Sequence, residues 1–275
     1  MQFSLGTAQL GTNYGISNAL PVPSSNEIKS ILSYAYINGV SYIDTAPSYG
    51  NCEAKLGAHS ALLNKYKIIT KVNCDIQNSK ISIKDQIYSS LISSIKTLGQ
   101  KSIYGCLLHD PSLLLKDSKD KVWNSMLWLK SQKLVEKIGV SVYDPKTLLS
   151  IINLYPIEIV QFPLNILDQR FATQENIHIL KKHNIKCFAR SIFLQGLLLM
   201  DYANIPQKMQ HAKKYISKCI IACKQENISL YQLALKFIFS QTWLESSVIG
   251  IASKHQLEEL FQQKHFTKGV GQYDK

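Results

Sequence analysis

A single (β/α)8 barrel spanning residues 1–275 is the fold that this sequence predicts. Three observations point to it. Eight short apolar runs, at 3–5, 41–44, 67–72, 103–108, 136–141, 157–161, 185–189 and 247–250, alternate with segments of helical periodicity. The chain length suits an α/β barrel folded as one unit. No low-complexity linker or internal repeat divides it. The other α/β solution is a doubly wound sheet. Here the first strand runs into LGTAQLGTNYG, which lacks the G-x-G-x-x-G phosphate loop.

The helices announce themselves by caps and stripes. Ser24 and Glu27 form a capping-box pattern before Ile28, Ile31, Leu32, Ala35 and Tyr36, which share one helical face. Ile83, Ile87, Leu91, Ile95 and Leu98 make a second stripe. Val122, Met126 and Leu129 make a third, and Leu257, Leu260 and Phe261 a fourth. Gly39, Gly99 and Gly139 stand where helix ends or tight approaches are needed. Trp123 and Trp128 lie on one helix and are expected to pack against the barrel, while Trp243, just before the last strand, is expected to be structural.

Composition narrows the function classes. With 45% hydrophobic and 18% charged residues, the chain can bury a core and is not globally disordered. The apolar stretch FLQGLLLM at 193–200 is too short for a membrane span, and MQFSLGTAQLG lacks a signal-peptide pattern. A cytoplasmic protein without membrane partners is expected. The net charge of +12 comes mostly from scattered lysines; Arg170 and Arg190 are the only arginines. Nucleic-acid binders concentrate such charge, so no nucleic-acid partner is expected; the field instead suits an anionic ligand. None of the six cysteines forms a Cys-x2-Cys pair, and His178, His183 and His211 have no ligand spacing, so no metal is expected.

In a barrel, chemistry belongs at the carboxyl ends of the strands. Strand two ends YIDTAPSYG, putting Asp44 at its tip and Tyr49 on the loop beyond. Strand three ends KIITKVN with Lys71, and strand four ends YGCLLHDP with His109. Neighbouring strands lie about 4.8 Å apart, so these side chains are within reach of one another. A phenol is a poor acid at neutral pH; a nearby ammonium favours its phenolate and lowers its pKa, and a carboxylate keeps that ammonium charged. Such a tyrosine can protonate a carbonyl oxygen receiving a hydride, with a histidine orienting that oxygen.

The motif D-T-A-x-x-Y-G at 44–50, the strand-borne lysine of ITKV and the histidine of LLHDP resemble the aldo-keto reductases. The resemblance runs from LGTAQLG, with Gly6 and Thr7, to the last helix. It implies Tyr49 as general acid-base, Lys71 as its pKa tuner, Asp44 as the partner of Lys71 and His109 as substrate orienter. The family's bottom-closing hairpin and long C-terminal loop have no counterpart here, which implies a more open site.

For the cofactor the resemblance implies Ser141 and Gln161 at the nicotinamide carboxamide, with Val142 where the family has asparagine. It implies Ser191, Phe193, Gln195 and Gly196, from ARSIFLQGLLL, around the pyrophosphate. The stretch VIGIASKHQLEEL, from Gly250, matches the adenosine-end motif. Ser253 and Lys254 at a helix start are expected to hold a ribose 2′-phosphate, with Gln256 and Glu259 beside the adenine and Leu260 replacing an asparagine. NADPH is therefore expected over NADH. Ser253 and Gln256 also fit a plain capping box. Arg190 stands where the family places an aromatic residue. It either contacts the cofactor or faces the pocket and holds an anionic carbonyl substrate.

The expected activity is NADPH-dependent reduction of an aldehyde or ketone, or the reverse, by a monomer or weak homo-oligomer. Two alternatives remain: a Schiff-base lyase built on Lys71, against which Asp44 argues, and a non-catalytic nicotinamide-binding regulatory barrel.

Overall fold

In a computed structural model, which describes residues 2–18, 20–77 and 80–268, eight parallel strands close into a barrel in chain order. The strands are β1 (Gln2–Gly6), β2 (Tyr42–Asp44), β3 (Lys67–Val72), β4 (Ile103–Leu108), β5 (Val135–Ser141), β6 (Ile159–Pro163), β7 (Lys186–Arg190) and β8 (Ser246–Gly250). Closure is made by β1 against β8, with Gln2 opposite Ser246 and Gly6 opposite Gly250. The main connecting helices are α1 (Ser25–Ile37), α2 (Cys52–Gly57), α3 (Ile83–Thr97), α4 (Lys119–Ser131), α5 (Pro145–Leu154), α6 (Gln174–Lys182), α7 (Gln210–Glu226), α8 (Leu230–Ser240) and α9 (Lys254–Lys268). The end of the expected domain, 269–275, lies outside the described residues.

Two apolar layers build the core. The strands' outward residues pack against the helix stripes, with Ile28, Ile31, Leu32, Ile87, Leu91, Val122, Met126, Leu129, Leu257 and Leu260 all buried there. Inside the barrel, Tyr42, Ile69, Tyr104, Leu107, Ile159, Phe188 and Val248 fill the lumen, so it is a packed core rather than a pore. Trp123 is buried and stacks on Tyr155, and Trp243 stacks on Phe162. Gly39 and Gly99 follow α1 and α3 at positive φ, and at Gly139 a Cβ would lie 1.7 Å from the Ile159 carbonyl oxygen of the next strand.

Two sequence expectations need correction. Tyr36 is 44% exposed instead of completing the α1 stripe; its ring meets Tyr66 edge-on beneath the Lys65 ammonium. The capping box of α1 is only half made. Ser24 accepts from the Glu27 N–H, but the Glu27 carboxylate accepts from the Lys254 N–H of α9 at 2.6 Å. The first turn of α9 needs acceptors of its own and lies within reach. The segment after β7 is a long excursion. Its 3-10 turns and α7 are held by a satellite cluster around Leu197, Leu198, Ile205, Ala212 and Ile216.

Candidate active site

At the carboxyl ends of the strands lies one cavity of about 1000 Å³. Its wall includes Gly6, Thr7, Asp44, Tyr49, Lys71, His109, Ser141, Gln161, Arg190, Ser191, Phe193, Gln195, Gly196, Gly250, Ser253, Gln256, Glu259 and Leu260. Of the residues singled out in the sequence as site candidates, Lys254 is the one that lies off this wall.

The parallel register places the charged pair. Asp44 is opposite Gly6 on one side and Ile69 on the other, so Lys71, two residues further along β3, projects above it. Lys71 Nζ donates to Asp44 Oδ1 at 2.8 Å and to the Thr45 carbonyl at 3.0 Å. Both side chains are nearly inaccessible, at 1% and 5%. Gln161 Nε2 donates to the same Asp44 oxygen at 2.7 Å. The Thr7 hydroxyl fixes the Asp44 backbone carbonyl at 2.8 Å. Burial pulls the Lys71 ammonium toward neutrality, but Asp44 and Tyr49 outweigh it and hold its pKa above the usual value.

The Lys71 ammonium sits 4.9 Å from the centroid of the Tyr49 ring. The expected lowering of the phenol does not prevail. Burial, reinforced by Asp44, raises the Tyr49 pKa, and Lys71 and Arg190 only oppose that rise. Tyr49 is thus a protonated phenol across the neutral range. His109 moves the other way. Burial and then Lys71 lower its pKa, so it presents a neutral imidazole at pH 7.

One buried acceptor in this cavity is unpaired. Gln161 Oε1 has no hydrogen-bond partner, although its amide nitrogen is engaged. An orphaned buried acceptor carries a cost of about 1–3 kcal/mol, and Gln161 is a residue of the cavity wall. Ser141, opposite Gln161 in the sheet register, is buried on the same wall. The loop after β7 adds a second unusual feature: Ser191, Leu194, Gln195 and Gly196 all have positive φ. Three of these are not glycine, and such conformations persist only where surrounding structure imposes them. At Gly196 a Cβ would lie 1.9 Å from Ser17 Oγ, so this loop is clamped to the loop after β1; the Ile16 N–H donates to the Gln195 carbonyl at 2.7 Å. An orphaned amide acceptor at one end and a backbone cradle further on fit a nicotinamide dinucleotide.

A match to the aldo/keto reductase family model covers residues 2–269. The chain belongs to the aldo/keto reductase family. That family's chemistry is oxidation and reduction at alcohol and carbonyl carbons with a nicotinamide cofactor. The D-arabinose 1-dehydrogenase of Saccharomyces cerevisiae is 23% identical over 268 residues, covering 90% of this chain and 80% of its own. Among solved structures, the holo form of an aldo-keto reductase from Bacillus halodurans superposes with a TM-score of 0.72 at 18% identity, covering 99% of this chain and 88% of its own. A glycerol dehydrogenase from Gluconobacter oxydans gives 0.70 at 19% identity, covering 99% and 93%. Among the described residues no helix is long and apolar enough to cross a membrane, and no cluster of three or more His, Cys, Asp or Glu side chains could hold a metal ion.

The last site region departs from expectation. Lys254 turns to α1 and its own helix; its ammonium pairs with Glu258 at 2.8 Å and lies 5.4 Å from the Tyr34 ring. Ser253 caps the Gln256 N–H, and Gln256 Oε1 accepts from the Ala252 N–H, one residue before the reciprocal partner of a true capping box. Sequence reasoning also passed over wall residues. Tyr14, in the TNYG loop, and Tyr143, directly after the fifth strand, both line the cavity. The Arg190 guanidinium lies 4.2 Å from the Tyr143 ring centroid. Their signal was an aromatic residue at a strand exit, which is also what an ordinary loop carries.

Proposed function

We propose that this aldo/keto reductase reduces a small carbonyl compound reversibly, with Tyr49 as proton donor and acceptor. The observation that carries this reading is the buried Lys71–Asp44 pair beneath the Tyr49 ring, beside the unpaired Gln161 acceptor. Gln161 and Ser141 would hold the carboxamide, and the loop Ser191–Gly196 the phosphates. A bound reduced nicotinamide supplies the hydride. Tyr49 gives its proton to the carbonyl oxygen, and the phenolate left behind is stabilised by the Lys71 ammonium. His109, neutral, donates a hydrogen bond that orients the same oxygen. In the reverse direction the phenolate takes the proton from the alcohol. Asp44 keeps Lys71 charged, which counts against an imine-forming lysine.

Arg190 supports an anionic substrate. Its polar contacts, to Ser191 Oγ and the Val142 carbonyl, are both long at 3.4 Å, and neither is to a carboxylate. It lines the same cavity as Tyr14, Tyr49 and His109, and its charge acts on all three as well as on Asp168. A planar fork so placed can take a carboxylate or phosphate of the substrate. As for the cofactor, the sequence favours NADPH through Ser253 and Lys254; only Ser253 reaches the cavity. Cytoplasmic location, a monomeric or weakly oligomeric state and a single domain over 1–275 complete the proposal. Loss of nicotinamide absorbance with a panel of sugar, keto-acid and aromatic carbonyls tests it. Turnover with at least one is expected. Binding of the dinucleotide with no turnover of any would favour a non-catalytic regulatory barrel.

A further inference from the structure

The end of the cavity remote from Tyr49 has an electrostatic character opposite to that of the whole chain. The net charge is +12, yet the lysine and arginine on the cavity wall are Lys71 and Arg190, both at the catalytic end. At the other end the polar wall is Ser253, His255, Gln256, Gln262, Gln263 and the acidic Glu259, which stands 3.5 Å from the His255 ring. A dinucleotide with its nicotinamide at Gln161 and its phosphates on the loop after β7 must run on to this end, because the same cavity continues there.

The start of α9 is where a 2′-phosphate would seek donors, and three of its backbone donors are taken. Lys254 N–H is bound by Glu27 Oε1 at 2.6 Å, Gln256 N–H by Ser253 Oγ at 3.2 Å, and Ala252 N–H by Gln256 Oε1 at 2.9 Å. Glu258 takes the Lys254 ammonium at 2.8 Å. Glu27 comes from a different helix, α1, and brings a carboxylate to the position that a phosphate would occupy electrostatically. Glu27 and Glu258 thus both engage one lysine.

We propose that Glu27 is a specificity-determining residue that makes this end of the cavity select against a 2′-phosphate, so that the chain binds NADH more tightly than NADPH. The inference rests on the dinucleotide reading above and reverses the preference suggested by the sequence. NADH brings a neutral 2′-hydroxyl to this end. NADPH brings a near-dianion beside a fixed carboxylate, where the wall offers it no lysine or arginine.

The test titrates NADH and NADPH into the full-length chain by quenching of protein fluorescence, comparing wild type with Glu27→Gln and Glu258→Gln. Glu27→Gln keeps an acceptor for the Lys254 N–H and removes the charge; Glu258→Gln frees the Lys254 ammonium. Wild type should bind NADH more tightly. Each variant should tighten NADPH by about three- to ten-fold and leave NADH within about two-fold. The NADH preference should shrink as salt is raised. Tighter NADPH binding by the wild type, or an unchanged ratio of the two cofactors in both variants, would overturn the role of Glu27. Failure of wild type to bind either cofactor would overturn the dinucleotide reading itself, and this inference with it.

Discussion

The two ends of the barrel carry the same three kinds of residue and use them differently. At the mouth stand Lys71, Asp44 and Tyr49; at the floor stand Lys186, Glu245 and Tyr42. On the floor the Tyr42 hydroxyl donates to Glu245 at 2.5 Å, and Lys186 donates to the same oxygen at 2.7 Å. Burial and that bond to Glu245 push the Tyr42 phenol well above its ordinary range, so its proton is locked onto a carboxylate. At the mouth Asp44 is occupied by Lys71 and Gln161, and it is the ammonium that lies against the tyrosine ring. The floor pair is about a third exposed and closes the barrel; the mouth pair is buried beside a cavity. A lysine, a carboxylate and a tyrosine become an acid-base centre when the carboxylate is kept on the lysine and the phenol faces open space.

The sharpest way to break this contrast is through the lysines. Lys71→Met leaves Asp44 buried without its cation, which should cost about 3–5 kcal/mol of stability. Lys186→Met removes a partly exposed, solvent-screened pair and should cost no more than about 1 kcal/mol. Urea unfolding of both measures the difference; equal losses would mean that the mouth pair is not the special one. Adding Asp44→Asn to Lys71→Met should recover part of the stability but none of the activity.

Arg190→Met probes substrate charge at the mouth. If the guanidinium holds an anion, kcat/KM for a carboxylate-bearing aldehyde should fall roughly ten-fold or more, the worth of one charged hydrogen bond. An uncharged aldehyde should be nearly unaffected. Equal losses on both, with weaker dinucleotide binding, would assign Arg190 to the cofactor instead.

The smallest effect is an absence of one. Because Tyr49 is raised from 10.0, it stays protonated to higher pH than a free phenol. With reduced cofactor, carbonyl reduction should hold level from about pH 7 to about pH 9 and decline only above the ordinary phenol range. A basic limb centred near pH 8 would show that Lys71 dominates the phenol after all.

Much of this architecture was legible in the sequence, for physical reasons that also explain what was not. Short continuous apolar runs report strands buried on both faces and i, i+4 stripes report a helix's buried face, so the strands and helices came out within a few residues. The tips holding Asp44, Lys71 and His109 followed, because strand register sets which way a tip side chain points. Glu27 was read as a local cap for α1 because sequence spacing sees only its own helix; its actual partner, Lys254, is far along the chain. The contacts of Lys254 with Glu258 and Glu27 were hidden for the same reason: a helix start says that donors are free, not which acceptors fold against them. The net effect of burial on Tyr49 was equally hidden, since it depends on how closed the pocket is. Tyr14 and Tyr143 lie on loops whose paths no periodicity encodes.

The most direct test is single-turnover reduction in Tyr49→Phe, with Tyr42→Phe as its counterpart at the other end of the barrel. Each variant keeps the ring and removes one hydroxyl. Tyr49→Phe should bind the reduced dinucleotide as wild type does and transfer hydride about 10²–10⁴-fold more slowly. Tyr42→Phe should lose about 1 kcal/mol of stability and react at the wild-type rate. Near-normal hydride transfer in Tyr49→Phe, with cofactor bound, would contradict the assignment of Tyr49 as the proton donor.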